Sequence, residues 1–120
     1  MSEYFKASEF ISKDGKESPW PDVVAPGLYE LLEEIRADFK KPICINSGYR
    51  SPEHNLNIGG AMNSYHTKGL AADIRPQYGK DFENDLRRLK IIANRRCKGG
   101  VGFYDTFVHV DLGPMRRWNA

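Results

Sequence analysis

Leu28, Leu31, Leu32, Ile35 and Phe39 recur at the three- and four-residue spacing of one helix face, with Glu30, Glu33, Glu34 and Arg36 on the other. The pattern predicts a helix that opens at Pro26, a residue suited to a first turn, and stops before Pro42. A second amphipathic run, Asp81 to Arg95, sets Phe82, Leu86, Leu89, Ile92 and Ala93 on one side. Short apolar runs fill the rest. Ile43-Cys44-Ile45, Ala71 to Arg75, Gly99 to Tyr104 and Phe107 to Leu112 are predicted strands, the last two joined through Asp105-Thr106 as a hairpin. Pro52 to Leu56 has room for one helical turn before Gly59-Gly60 ends it. Residues 1–25, punctuated by Gly15, Pro19 and Pro21, are expected to be irregular, with Tyr4-Phe5 and Phe10-Ile11 as anchors and Ser8 capping a single helical turn. The sum is an α+β domain, a small and mostly antiparallel sheet with helices packed on one face.

Composition is ordinary for a globular protein. The 120 residues suffice for one domain, 1–120, and are 40% hydrophobic and 28% charged. A net charge of +2 gives no reason to expect nucleic acid as a partner. The basic cluster of Arg87, Arg88, Lys90, Arg95, Arg96 and Lys98 is read as the solvated face of the second helix, and more weakly as a patch for an anionic polymer. Cys44 and Cys97 are far apart and in no metal-binding spacing; Cys44 is expected in the core. Trp20 and Trp118, near the two ends, are expected either to close the core, the favoured role, or to line a cleft. No apolar stretch is long enough to cross a membrane. The N-terminal Met1 to Phe5 lacks the features of a signal peptide, so the chain is expected to be made in the cytoplasm without a leader.

Three polar residues sit where the hydrophobic pattern argues against them. Asp73 lies within Leu70-Ala71-Ala72-Asp73-Ile74, where a buried carboxylate needs a partner. That partner is an arginine, Arg50 or Arg75, or a metal. His109 lies between Val108 and Val110; alternation puts it on one face with Phe107 and Asp111 and the valines on the other. It is either a satisfied core histidine or a ligand. His66, seven residues before Asp73, precedes a strand across the turn at Gly69. Two imidazoles and one carboxylate with an open position form a donor set for catalytic zinc, although iron and manganese accept the same ligands. His54, in a polar stretch, is read as a surface or supporting residue.

Ser64-x-His66-x-x-Gly69-x-Ala71-x-Asp73, followed by a histidine on a later strand, resembles the motif of the zinc D-Ala-D-Ala carboxypeptidases. That group also takes in D-Ala-D-Ala dipeptidases, phage L-alanyl-D-glutamate endopeptidases, lysostaphin-type enzymes and the hedgehog signalling domain. Asn46-Ser47-Gly48-Tyr49-Arg50-Ser51-Pro52, Gly100-Val101-Gly102-Phe103-Tyr104 and Phe107-Val108-His109-Val110-Asp111-x-Gly113-Pro114, ending at Arg117-Trp118, fit the same pattern. The resemblance runs from about residue 24 to 118 and is strongest to short single-domain bacterial and phage forms. It implies that His66, Asp73 and His109 bind one zinc per chain. It also implies that Arg50 lies near the metal and polarises the scissile carbonyl, and that Ser64 helps to position substrate. A fixed cation beside a Lewis acid would stabilise a developing oxyanion. Several relatives carry a general base three positions before the last histidine, where this chain has Thr106. Asp105 is the first candidate for that role and Asp111 the second; Asp111 has the alternative role of orienting a ligand.

Two functions follow from the resemblance. One is a zinc metallopeptidase that cuts an amide bond of peptidoglycan stem peptides, as a carboxypeptidase or an endolysin-like enzyme. The other is a non-catalytic zinc-containing module that binds peptidoglycan or protein. Neither calls for membrane insertion, and a leaderless single domain suits a phage or prophage product that reaches the cell wall on release.

Overall fold

The computed structural model describes residues 3–120; Met1 and Ser2, the first residues of the predicted leaderless terminus, lie outside them. Helix α1 (Pro26–Phe39) begins with proline in its first turn and ends at Lys40 in the left-handed conformation. Strand β1 (Ile43–Ser47), the short helix α2 (Pro52–Asn57), strand β2 (Ala71–Pro76) and helix α3 (Phe82–Arg96) follow. Strands β3 (Gly100–Phe103), β4 (Val108–Asp111) and β5 (Arg116–Asn119) complete the chain. Two single 3₁₀ turns, Ala7–Phe10 and Tyr65–Lys68, sit in the intervening segments.

The sheet has five strands in the order β1-β2-β4-β3-β5, antiparallel except where β5 runs parallel to β3. Alternation splits it into two faces. Ala72 and Ile74 of β2, Val108 and Val110 of β4 and Val101 of β3 point to one side, where Leu28, Leu32, Ile35, Leu89 and Ala93 of α1 and α3 cover them. Each fully buried aliphatic side chain contributes about 2 kcal/mol of burial free energy, so this layer fixes the strands firmly. The opposite face is open, and it carries the polar residues. The α+β architecture with helices on one face is as the sequence predicts.

The differences are local. Strand β5 was not expected, because Arg116-Arg117-Trp118-Asn119 carries no apolar signature. It forms because Arg117 reaches back to the carbonyls of Asn94, Cys97 and Gly99, tying the edge strand to the end of α3. The 3₁₀ turn at residues 7–10 is capped by Lys6 and Glu9 rather than by Ser8. Phe5 and Phe10 are buried as anchors, whereas Tyr4 and Ile11 are exposed. Cys44 is half-buried rather than in the core, since Ile43 and Ile45 take the inward positions on either side of it; Cys97 is the buried thiol, and both are free.

The N-terminal segment is more than irregular covering. The carbonyl of Phe10 accepts from the Tyr49 amide at 2.8 Å. Asp14 accepts from the hydroxyls of Ser12 and Ser51, and Ser12 Oγ in turn accepts from the Ser51 amide. The segment thus clamps the loop that leads from β1 into α2. The bond from Ser51, with those from Ser12 and the Lys16 amide, lowers the Asp14 carboxyl to about 2. A depressed native value gives stability that is complete above the ordinary carboxylate range and lost as the pH falls through the native value. The gap in unfolding midpoint between wild type and Asp14→Ala, full at about pH 5, is therefore expected to close by about pH 2 in thermal melts.

Candidate metal centre

A row of register partners crosses the open face of the sheet through all five strands. Ser47 pairs with Asp73, Asp73 with His109, His109 with Gly102, and Gly102 with Trp118. A register shift in β1 between Ile45 and Ser47 brings Ser47 into this line. Two members of the row are therefore the carboxylate and one imidazole singled out by the sequence. His66 comes from outside the sheet, on the 3₁₀ turn that precedes β2. Gly69 ends that turn at φ 70°, and a Cβ there would overlap the Trp20 indole, so glycine is required on two counts.

The three candidate ligands converge. His66 Nε2 lies 3.2 Å and His109 Nδ1 2.9 Å from the same oxygen, Oδ1 of Asp73. The two imidazole rings are 5.1 Å apart and inclined at 69°. Hydrogen bonds on the far side of each ring settle the tautomers. His66 Nδ1 lies 2.8 Å from the carbonyl of Gly48, which only accepts, so the proton is on Nδ1. His109 Nε2 donates to Asp111 Oδ2 at 2.8 Å. Asp111 is wholly buried and also accepts from the Gly100 and Gly113 amides and from Arg116. Burial opposes its ionisation, but His109, Arg116 and Gly113 together hold its carboxyl well below the usual range.

With those outer nitrogens carrying the protons of neutral rings, the inner nitrogens would each turn a lone pair toward a carboxylate oxygen. Three acceptors facing one point repel unless a cation stands among them, and two histidines and an aspartate, each of them largely buried, are a fitting donor set for a divalent metal. With no cation between them, burial would raise the Asp73 carboxyl, and hydrogen bonds donated by His109 and His66 hold it below the usual carboxylate range, so protons at these two nitrogens stand in for the metal's charge. Burial also works against a charged His109, yet Asp111 and Asp73 push that imidazole toward its protonated form, so metal and proton compete for Nδ1.

Arg50 reaches the same point from the loop after β1. Its Nη2 lies 3.8 Å from Asp73 Oδ2 and 3.3 Å from Ser47 Oγ, and its Nη1 donates to Asn55 Oδ1 at 2.9 Å. Burial lowers the guanidinium value, with Asp73 opposing. Arg75, the other arginine considered as a partner of Asp73, bonds Asn46 and the Pro76 carbonyl instead. Ser64 caps the turn that carries His66, accepting from the His66 amide at 3.2 Å.

These residues open into a cleft of about 470 Å³. Arg50, Ser64, His66, Asp73, His109 and Asp111 all line it, with the 60–63 loop, Tyr65, Tyr104, Phe107, Arg116 and Trp118 forming the walls. Asp105 is exposed on the β3–β4 turn and is not among the lining residues, although its neighbour Tyr104 is. Trp118 belongs to the cleft rather than the core. Its ring stands 5.3 Å from that of His109, and its Nε1 donates to the Tyr104 hydroxyl at 3.2 Å. Gly102 makes this possible, for any Cβ at that position would enter the indole ring. Lining a cleft was the less favoured of the two places open to Trp118; the Tyr104 and Phe107 part of the aromatic wall, the Arg116 brace on Asp111 and the Asn55 contact to Arg50 carry no signal in the sequence pattern. Arg116 and Trp118 share the half-buried face of β5 and Arg117 and Asn119 the exposed one, an alternation that a single apolar residue among the four is too weak to signal.

Comparison with known proteins agrees with this geometry. The Peptidase M15 family model matches residues 3–111. The chain is 36% identical over 104 residues to the peptidoglycan L,D-endopeptidase MepK of Escherichia coli strain K12, covering 79% of this chain and 54% of that protein. It is 36% identical over 105 residues to the probable peptidoglycan L,D-endopeptidase MepK of Haemophilus influenzae, with the same two coverages. It is 56% identical over 97 residues to the zinc D-Ala-D-Ala carboxypeptidase of Streptomyces albus G, covering 78% of this chain and 36% of that one. The chain thus spans about half the length of the MepK proteins it matches. With the ligand geometry and the extent of the match both in view, the chain belongs to the Peptidase M15 family.

Proposed function

We propose that this chain, acting as a single domain, is a zinc-dependent peptidase that hydrolyses an amide bond in peptidoglycan stem peptides. The observation that carries the reading is the convergence of His66 Nε2 and His109 Nδ1 on one oxygen of the Asp73 carboxylate. His66, Asp73 and His109 are the proposed ligands of one zinc. Names of relatives support both the metal and the substrate class: peptidoglycan endopeptidases and a zinc carboxypeptidase. When bound, the ion supplies Lewis-acid activation of water and of the scissile carbonyl.

The protein's own groups do the rest. Asp111 holds the proton of His109 on Nε2, leaving Nδ1 free as a ligand. The Arg50 guanidinium, held 3.8 Å from Asp73, stands where negative charge develops on the substrate oxygen. Ser64, on the cleft rim, helps to seat the peptide. Asp105, next to the cleft-lining Tyr104, is the proposed base that takes a proton from water and returns it to the leaving amine. Asp111 is the alternative, although its oxygens are already occupied by four partners.

A second reading rests on one observation. The only carboxylates among the cleft-lining residues are Asp73 and Asp111, one a proposed ligand and the other committed beneath His109. This favours a module that grips peptidoglycan without cutting it. Digestion of purified peptidoglycan, followed by separation of the soluble fragments, distinguishes the two. The peptidase reading predicts new amine termini from wild type, a loss of roughly a hundred-fold or more in Asp105→Ala, and a similar loss in Arg50→Ala. Binding to the sacculus with no released termini from zinc-loaded wild type would support the binding module. Full activity in Asp105→Ala would remove that residue from the base role.

A further inference from the structure

Arg50 has four rotatable side-chain bonds and needs fixed partners if its charge is to stand at one point. Its bond from Nη2 to Ser47 is long at 3.3 Å, and its distance to Asp73 is 3.8 Å. Its Nε is the one buried side-chain nitrogen or oxygen without a hydrogen-bond partner among the described residues. The single short side-chain bond it makes is from Nη1 to Asn55 Oδ1, at 2.9 Å.

Asn55 is unusual in its own helix. Its neighbours Leu56 and Asn57 face solvent, while Asn55 is 6% exposed. A buried amide must satisfy both its ends, and this one does. Oδ1 accepts from Arg50, and Nδ2 donates to the carbonyl of Ala61 at 2.9 Å. The amide has one permitted orientation, because a flip would set its NH₂ against the guanidinium and its oxygen against a carbonyl. Gly60 closes over the pair. A Cβ there would overlap Asn55 Oδ1 and come within 3.1 Å of Arg50 Nη1. Helix α2 is aimed in turn by its cap Ser51, which accepts from the His54 amide and is itself clamped by Asp14.

We infer that Asn55 is a positioning residue: its buried amide aims the Arg50 guanidinium at the metal centre and ties it to the 60–63 rim of the cleft. The inference rests on the peptidase reading for its kinetic consequences but not for its structural one. Both are read on the zinc-reconstituted full chain. Asn55→Ala is expected to lower kcat on peptidoglycan fragments by about ten- to a hundred-fold, the scale of a small misplacement of a catalytic group. Zinc content should stay at the wild-type level. Asn55→Asp, which keeps an acceptor for Arg50 but cannot donate to Ala61, should retain kcat within a few-fold and raise KM. Gly60→Ala, which keeps the Asn55 side chain but pushes its amide from its place, should lower kcat in the same direction and serves if Asn55→Ala does not fold.

Adding Asn55→Ala to Arg50→Ala should cost nothing further, since the two act as one unit. Additive losses, or wild-type kcat in both Asn55→Ala and Gly60→Ala, would overturn the assignment. The structural arm follows the Arg50 side-chain NH signals by ¹⁵N NMR. A shift or broadening of those signals in Asn55→Ala or Gly60→Ala supports the positioning role even if the wild type cuts nothing, in which case only the peptidase reading fails. Arg50 signals unmoved in both variants would refute the positioning role whatever the activity.

Discussion

Asp73→Asn is expected to lower hydrolysis of purified peptidoglycan by about a thousand-fold or more, to the level of buffer alone. Asp73 joins the three charged or ligating groups of the centre: its Oδ1 faces both His66 Nε2 and His109 Nδ1, and its Oδ2 faces Arg50. The substitution is nearly isosteric, so the β2 core contacts of Ala72 and Ile74 on the other face are untouched. What changes is the charge. An amide offers no negative ligand to the metal and leaves the Arg50 cation without its counter-charge. The measurement is the rate of release of soluble fragments, with circular dichroism confirming that the chain remains folded. Activity within ten-fold of wild type would show that Asp73 is not a ligand.

Asp111→Ala is expected to weaken zinc binding by roughly ten- to a hundred-fold and to destabilise the fold by about 3 kcal/mol. The first effect comes from His109. Without an acceptor at Nε2 the imidazole is no longer held in the tautomer that frees Nδ1, and the ring loses the contact that sets its plane. The second comes from the groups left behind. Asp111 has no exposed surface, and its removal leaves the Gly100 and Gly113 amides without their acceptor, while the part-exposed Arg116 guanidinium keeps only its hydrogen bond to the Pro114 carbonyl. Zinc titration with a competing chelator reads the affinity, and chemical denaturation reads the stability. Loss of stability with unchanged zinc affinity would reduce Asp111 to a purely structural residue. Loss of hydrolysis beyond that explained by zinc content would instead favour it as the base over Asp105.

Much of this was legible in the sequence because the two faces of the sheet obey different rules. The periodicities of 26–39 and 82–96 are carried by Leu28, Leu32, Ile35, Leu86 and Leu89, which lie against the sheet and are buried. Val108 and Val110 point into that layer, so His109 and Asp111 had to point out of it, and they do. The candidate trio of His66, Asp73 and His109 was visible because a carboxylate and an imidazole stood where burial forbids unpartnered charge, and the structure brings the three together. Register was not visible. That Ser47, Asp73, His109, Gly102 and Trp118 form one line depends on a shift in β1 and on a parallel edge strand, both set by pairing between distant segments. Between core and cleft the sequence favours the core for Trp118, because an aromatic residue near a chain end more often packs inward; Gly102, by lacking a side chain, makes the outward place for it. Cys44 was misplaced for the simpler reason that a three-residue apolar strand has one member facing the open side. The general base was the weakest inference, since turn geometry decides whether Asp105 faces the cleft, and composition says nothing about it.

The central claim is that His66, Asp73 and His109 hold one zinc ion. Elemental analysis of the purified chain, after zinc reconstitution and extensive dialysis, tests it most directly when wild type is run beside His109→Ala. The account predicts about one zinc per chain in the wild type and essentially none in the variant, with both proteins folded. No retained zinc in the wild type, or equal zinc in the two, would contradict it.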